Sequence, residues 1–179
     1  MLLSSSILSL LSKQYYHETA NALTYTMLQS WAEFHGLDGT ASFFGKQAGD
    51  EHKHASMVLD YIHARNEKIA PGPVPEIKDA PDQFRASFEL AQAIERATTD
   101  AVNAIKAQAE LEADHATCVW LAMPGGLILE QVEEENTIQT IIDRITARAG
   151  GVSFDGSDVF PADLPGNIIH DIDCWLKAR

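Results

Sequence analysis

The chain has 179 residues, 45 % hydrophobic and 22 % charged, which is long and apolar enough for one globular domain. Its 26 acidic and 13 basic residues leave a formal net charge of −13. This charge argues against nucleic acid or an anionic membrane as a partner and favours cations. Two cysteines and the lack of an apolar run of about 18 residues argue against a disulfide framework and a membrane span, so we expect a cytoplasmic protein.

Hydrophobic periodicity predicts four long helices, because apolar residues recur at alternating steps of three and four. The predicted helices cover residues 4–35, 40–66, 82–114 and 127–149. Glycines mark two of the ends, since Gly36 and Gly39 follow the first helix and Gly150-Gly151 follows the fourth. No strand pattern competes with this assignment.

The connections predict how the helices are arranged. Residues 67–82 hold four of the seven prolines, so this segment is an extended crossover that makes the second and third helices parallel. A loop and a short amphipathic helix are expected over residues 150–179, with the bundle over residues 4–149. The short helix is expected to dock between subunits or, alternatively, on its own bundle. The prediction is a single all-α domain, a four-helix bundle with a long crossover and a short fifth helix.

Each predicted long helix carries a carboxylate on or near its inward face. Glu18 lies on the first helix, Glu51 and His54 share one side of the second, and Glu95 lies on the third. The fourth carries the acidic run 130–135. Converging buried carboxylates repel one another, and a cation removes that penalty. Oxygen ligands with an imidazole suit iron or manganese.

The full pattern, in chain order, is Glu18 with Tyr25 seven residues later, Asp50-Glu51-x-x-His54, Glu95, and Glu130-Gln131-x-Glu133-Glu134. In this order and spacing it resembles the non-haem bacterial ferritins, members of the ferritin-like di-iron carboxylate family. The resemblance covers nearly the whole chain, including the helix order, the crossover and the short fifth helix.

The resemblance implies a di-iron centre within each chain. By that resemblance, Glu18, Glu51 and His54 bind the first iron, and Glu51 bridges to a second iron held by Glu95 and Glu134.

The same resemblance assigns five further residues. Gln131 lies beside the iron pair, and Tyr25 forms a hydrogen bond near it and is able to donate an electron. Asp50, Glu130 and Glu133 contribute to a third, weaker iron site that faces the interior of a protein shell.

The activity implied by the resemblance is that of a ferroxidase and iron-storage protein. Fe(II) is oxidised by dioxygen or peroxide, and Fe(III) is deposited as mineral inside a homo-oligomeric cage of 24 subunits. The negative charge of the chain is expected to attract Fe(II).

Two departures from the family pattern bear on these assignments. The segment 123–126, Met-Pro-Gly-Gly, adds about three residues before the fourth helix, which leaves Glu133 as an alternative to Glu134 as the iron ligand. His52 stands where the related bacterioferritins carry a haem-ligating Met, and the fourth helix lacks their second Glu-x-x-His, which argues against haem.

Other functions remain open at this point. A rubrerythrin-like di-iron oxidase or peroxidase shares the ligand types, although the chain has no CxxC pair for its usual electron-transfer domain. DNA-protecting mini-ferritins fit less well, because their ligands come from two subunits. A non-catalytic bundle whose acidic stripe only binds cations is the alternative from a different class.

Overall fold

The computed structural model describes residues 2–149 and 164–178, and within these ranges all regular structure is helical. The six helices are α1 (Ser5–Phe34), α2 (Asp38–Ala64), α3 (Phe84–Leu111), α4 (His115–Ala122), α5 (Leu127–Arg148) and α6 (Gly166–Lys177). The long helices α1, α2, α3 and α5 form a four-helix bundle, which confirms the predicted fold class. No helix among the described residues combines the length and apolarity that a bilayer crossing requires.

The crossover between α2 and α3 runs along α1. The backbone N–H of Ala70 donates to Ser12 Oγ at 3.0 Å, and that of Lys78 donates to Thr24 Oγ1 at 3.2 Å. The segment therefore returns the chain to the end of the bundle where α2 began, and α3 runs parallel to α2 as the prolines predicted.

The predicted fourth helix is preceded by a separate short helix that the sequence analysis missed. The third helix ends at Leu111, and Asp114 then caps α4 by accepting from the backbone N–H of Thr117 at 3.2 Å. Pro124, Gly125 and Gly126 separate α4 from α5, with Gly125 at a φ of +74°. A Cβ on Gly126 would lie 2.7 Å from the carbonyl oxygen of Leu121, so only glycine fits this turn.

Helix α6 packs on its own bundle, which is the alternative that the sequence left open. The carboxylate of Asp173 accepts from the backbone N–H of Thr40 at 2.7 Å and from its hydroxyl at 2.8 Å, so it caps the first turn of α2. Ile169, Ile172 and Leu176 are buried in the same apolar cluster as Phe44. The predicted loop before α6 lies outside the described residues as far as residue 163.

Two apolar clusters fill the bundle, one toward each end. The Phe44 cluster includes Leu28, Phe44, Phe88 and Ile141, and the Ile62 cluster includes Leu11, Ile62, Ile105 and Leu127. Along every long helix, the residues of one cluster are separated from those of the other by about two to four turns that contribute polar side chains. The fold thereby creates a polar layer in the middle of an otherwise apolar core.

Candidate metal centre

The polar layer collects side chains from all four long helices. It consists of Glu18 on α1, Glu51 and His54 on α2, Glu95 on α3, and Gln131 and Glu134 on α5. Glu18 and Glu95 have no exposed surface, Glu51 is 1 % exposed, and Glu134 is half-buried. Carboxyl groups are almost never buried this deeply without a partner.

Glu18, Glu51 and His54 form the compact half of the layer. Each offers one ligand atom, and these atoms all lie within 4.8 Å of one another. Oε2 of Glu18 and Oε1 of Glu51 are buried and have no hydrogen-bond partner. A divalent cation between these residues would give those oxygen atoms the partner that the protein does not supply, so the donor set fits a metal ion.

Glu95, Gln131 and Glu134 form the other half. The Gln131 side-chain amide donates to Glu95 Oε2 at 3.2 Å and to Glu134 Oε2 at 2.6 Å. The buried Tyr25 hydroxyl donates a short hydrogen bond to Glu95. This half therefore holds two carboxylates close together by means of neutral donors.

Burial and mutual repulsion raise the pKa values of these acids. Burial is the main cause for Glu18 and Glu51, whose pKa values lie well above 4.5, and it also raises that of Glu95. Burial and the negative charges of Glu95 and Glu18 raise the pKa of Glu134 to about 9. Burial and the same acids raise the pKa of Tyr25, so it stays a neutral phenol. Without a cation Glu134 retains its proton at neutral pH, and a bound cation would displace it.

The structure brings Glu134, and not Glu133, to the other acids. Glu134 contacts Gln131 and faces the polar layer, whereas Glu133 is exposed. The two residues differ because Gln131 and Glu134 are three positions apart and share a face of α5, from which Glu133 is turned away.

The residues expected at a third site lie around a separate cavity. This cavity has a volume of about 420 Å³, and its lining includes Asp50, Glu130, Glu133 and Glu134. Asp50 is paired with the ammonium group of Lys53 at 2.7 Å. Among the described residues, Glu18, Glu51 and His54 alone form a compact group of three potential ligands, so the acids of the cavity are more widely spaced.

Sequence reasoning missed four polar residues that surround the layer, namely Gln14, Asn21, Thr98 and Thr99. Gln14 donates to Glu18 Oε1 at 2.7 Å. Asn21 donates to the buried Thr98 hydroxyl at 3.0 Å, and the Thr99 hydroxyl lies 3.1 Å from Gln131 Oε1. Their helical spacing from the acids was the available signal, because Gln14 lies four residues before Glu18 and Asn21 three residues after it.

Comparison with protein families identifies the same architecture. The ferritin-like domain matches residues 8–147 of the chain.

Curated relatives agree with this family. A bacterial non-haem ferritin of Staphylococcus haemolyticus is 32 % identical over 146 residues, which cover 79 % of this chain and 84 % of the relative. One of Bacteroides fragilis is 32 % identical over 152 residues, covering 83 % of this chain and 91 % of the relative.

Solved structures agree in fold. An open-pore ferritin from the hyperthermophilic archaeon Archaeoglobus fulgidus superposes with a TM-score of 0.83 at 24 % identity, covering 99 % of both chains. A closed form of the Archaeoglobus fulgidus ferritin, engineered by site-directed mutagenesis, gives the same TM-score at 22 % identity, covering 99 % of this chain and 98 % of that one.

Proposed function

Because this chain belongs to the ferritin family, among the bacterial non-haem ferritins, it is an iron-storage protein, and we propose that it oxidises Fe(II) at the polar layer. Glu18, Glu51 and His54 would hold one Fe(II). Glu95 and Glu134 would hold a second, with Glu51 shared between the two. The observation that carries this proposal is the pair of buried carboxylate oxygens on Glu18 and Glu51 that lack any hydrogen-bond partner.

The chemistry follows from this donor set. Each of two Fe(II) ions gives up one electron, and dioxygen accepts both electrons with two protons to leave as hydrogen peroxide. Carboxylate oxygens are hard ligands and stabilise Fe(III) more than Fe(II), so the ligands favour the oxidised product. Gln131 and Tyr25 hold Glu95 in place through their hydrogen bonds. A peroxide-driven turnover would use the same two electrons.

We assign the acidic cavity to the next step, the departure of Fe(III). Glu134 borders both the polar layer and this cavity, so an ion that leaves the layer past Glu134 meets Asp50, Glu130 and Glu133. Their wider spacing suits a weaker third iron site. The Lys53 ammonium group competes with iron for Asp50, which weakens binding there further.

Storage further requires an enclosed volume, and we propose a 24-subunit cage built from copies of this chain. Sedimentation of the purified protein tests this part separately. A monomer or dimer as the largest species would contradict the cage and leave the metal centre standing.

The variant Glu18→Gln tests the oxidation site. It keeps the shape of the side chain and removes a buried charge whose pKa burial already raises, so the fold should persist, while one iron ligand is weakened. We expect the initial rate of Fe(II) oxidation to fall by more than about tenfold. Glu33→Gln, an exposed position on the same helix, is the matched control and should oxidise iron like the parent. A parent-like rate in Glu18→Gln would exclude this site.

A further inference from the structure

A further cavity lies between α3 and α5, and we call it the α3–α5 cavity. It has a volume of about 320 Å³. Asn103 and Val132 are exposed and mark its mouth. Val102 and Gln131, with exposed fractions of 1 % and 3 %, mark its floor. The cavity therefore leads from the surface of the chain toward the polar layer.

Helix α5 separates this cavity from the acidic cavity. The residues that α5 contributes to the α3–α5 cavity are Ile128, Gln131, Val132 and Glu135, and those that line the acidic cavity include Glu130, Glu133, Glu134 and Thr137. Each set has the spacing of a single helical face. The sets are offset by two positions, which corresponds to a rotation of about 200° around the helix axis. The two cavities therefore lie on opposite sides of α5.

The chemical character of the two cavities also differs. Carboxylates border the acidic cavity, whereas the surface of the α3–α5 cavity is mainly apolar and includes Val102, Ile128 and Val132. Its lining also contains Glu135, which accepts a short hydrogen bond from the Thr99 hydroxyl. An ion that entered among the aliphatic side chains would lose its hydration, while an apolar molecule would gain by leaving water.

Gln131 connects the α3–α5 cavity to the proposed iron centre. It borders the cavity, and its side-chain amide donates to Glu95 Oε2 at 3.2 Å and to Glu134 Oε2 at 2.6 Å. Those two carboxylates are the ligands proposed for the second iron position. A small molecule at the floor of the cavity therefore lies against a side chain that touches both of them.

We propose that the α3–α5 cavity binds dioxygen and delivers it to the polar layer, whereas iron leaves by the acidic cavity on the other side of α5. This inference rests on the proposed function of the polar layer. Dioxygen is small, uncharged and a poor hydrogen-bond partner, so an apolar cavity takes it up in preference to Fe(II). An engineered apolar cavity of about 150 Å³ in another protein binds xenon, so a cavity of this size and lining has room for a diatomic gas.

Xenon tests the binding step, because it is apolar and unreactive and does not require iron. In the full-length metal-free protein, xenon under pressure should shift the NMR signals of the methyl groups of Val102, Ile128 and Val132. The methyl signals of Val58, which is buried in the Ile62 cluster, should stay unchanged. Ile128→Trp fills the cavity and should abolish the shifts at the two valines. A parent without xenon-dependent shifts at these residues would overturn the proposal.

Oxidation kinetics test the delivery step. Ile128→Trp should lower the initial rate of Fe(II) oxidation by dioxygen several-fold. It should leave the rate with hydrogen peroxide unchanged, because a polar oxidant gains nothing from an apolar cavity. Val132→Trp, at the mouth, should act in the same direction. Val119→Trp is its matched control, since both valines are 65 % exposed and Val119 lies on α4, outside the cavity lining.

The outcomes separate this inference from the proposed function. A parent-like rate with dioxygen in Ile128→Trp, or an equal loss with both oxidants, would overturn the delivery of dioxygen through this cavity. If Ile128→Trp does not fold, Val132→Trp decides by the same criteria against Val119→Trp. A parent that oxidises no Fe(II) with either oxidant would overturn the proposed function and the delivery step together, and the xenon shifts decide the binding step separately.

Discussion

At the scale of single residues, the central feature is a set of acids whose pKa values the fold raises. Glu18, Glu51, Glu95 and Glu134 all have raised pKa values, with burial as the largest cause. In the unfolded chain the same groups lose their protons near the ordinary value of 4.5. The raised pKa values therefore make the metal-free fold less stable as pH rises. A metal ion that binds these acids displaces their protons.

This linkage predicts how the metal-free protein responds to pH. Between about pH 4.5 and 9 the folded state binds more protons than the unfolded state, so its free energy of unfolding should fall as pH rises. The slope reaches roughly 1.4 kcal/mol per pH unit for each carboxyl that is protonated only in the folded state. Urea unfolding at pH 5.5, 7 and 8.5 measures it. Glu134→Gln should have a flatter profile than the parent, and an unchanged slope would contradict the assignment.

At the scale of helices, the joint between α2 and the short helix α4 depends on one ion pair. The guanidinium of Arg65 binds Asp114 at 3.1 and 2.9 Å, and both residues have less than a tenth of their surface exposed. Thr117 adds a hydrogen bond to each partner. This cluster ties the C-terminal end of α2 to the cap of α4.

Asp114→Ala should destabilise this joint. It leaves the Arg65 charge without its carboxylate and removes the cap of α4, and we expect a loss of about 2 to 3 kcal/mol. This loss is smaller than is usual for breaking a fully buried ion pair, because Arg65 and Asp114 lie near the end of the bundle and keep some contact with water. Denaturant unfolding measures the effect. Lys78→Met, which breaks an exposed pair with Glu76, is the control and should change stability little. Equal effects of the two variants would show that the Arg65–Asp114 pair does not stabilise the joint.

A glycine determines how closely α6 approaches α2. A Cβ on Gly39 would lie 1.9 Å from the carbonyl oxygen of Asp173, so Gly39→Ala should displace α6 and break the cap on Thr40. We expect a cost of about 1 to 3 kcal/mol and faster hydrogen exchange across residues 166–177. Gly49→Ala on the same helix meets no atom within 4 Å and should be neutral or stabilising. Unchanged exchange in Gly39→Ala would contradict the proposed docking of α6.

The sequence predicted the elements whose apolar pattern repeats over many turns, and it did not predict the short helix or the polar residues around the acids. The four long helices and the proline crossover followed from apolar spacing over many turns. Helix α4 was missed because its eight residues, HATCVWLA, show no clear polar face, although Asp114 three residues before Thr117 was a capping signal. Asn21, Thr98 and Thr99 were missed because a polar residue near a core has many uses until its partner in space is known.

At the scale of the whole molecule, two apolar clusters enclose the acids on either side. The chain as a whole has a formal net charge of −13. The packing of the clusters stabilises the fold. Burial of the acids in the polar layer costs desolvation free energy, and the same burial creates a site that can bind a cation. The acidic cavity, which Glu134 also lines, is the iron route that we propose between the layer and the surface of the chain. A cation that binds only the folded chain should therefore raise its free energy of unfolding.

Aerobic oxidation of small additions of Fe(II) to the metal-free protein, followed by absorbance, is the most direct test of the proposed iron centre. We expect a fast phase, absent from a protein-free control, that saturates at about two Fe(II) per chain, because a paired carboxylate centre holds two metal ions. A rate no faster than the control, or saturation near a single Fe(II), would contradict it.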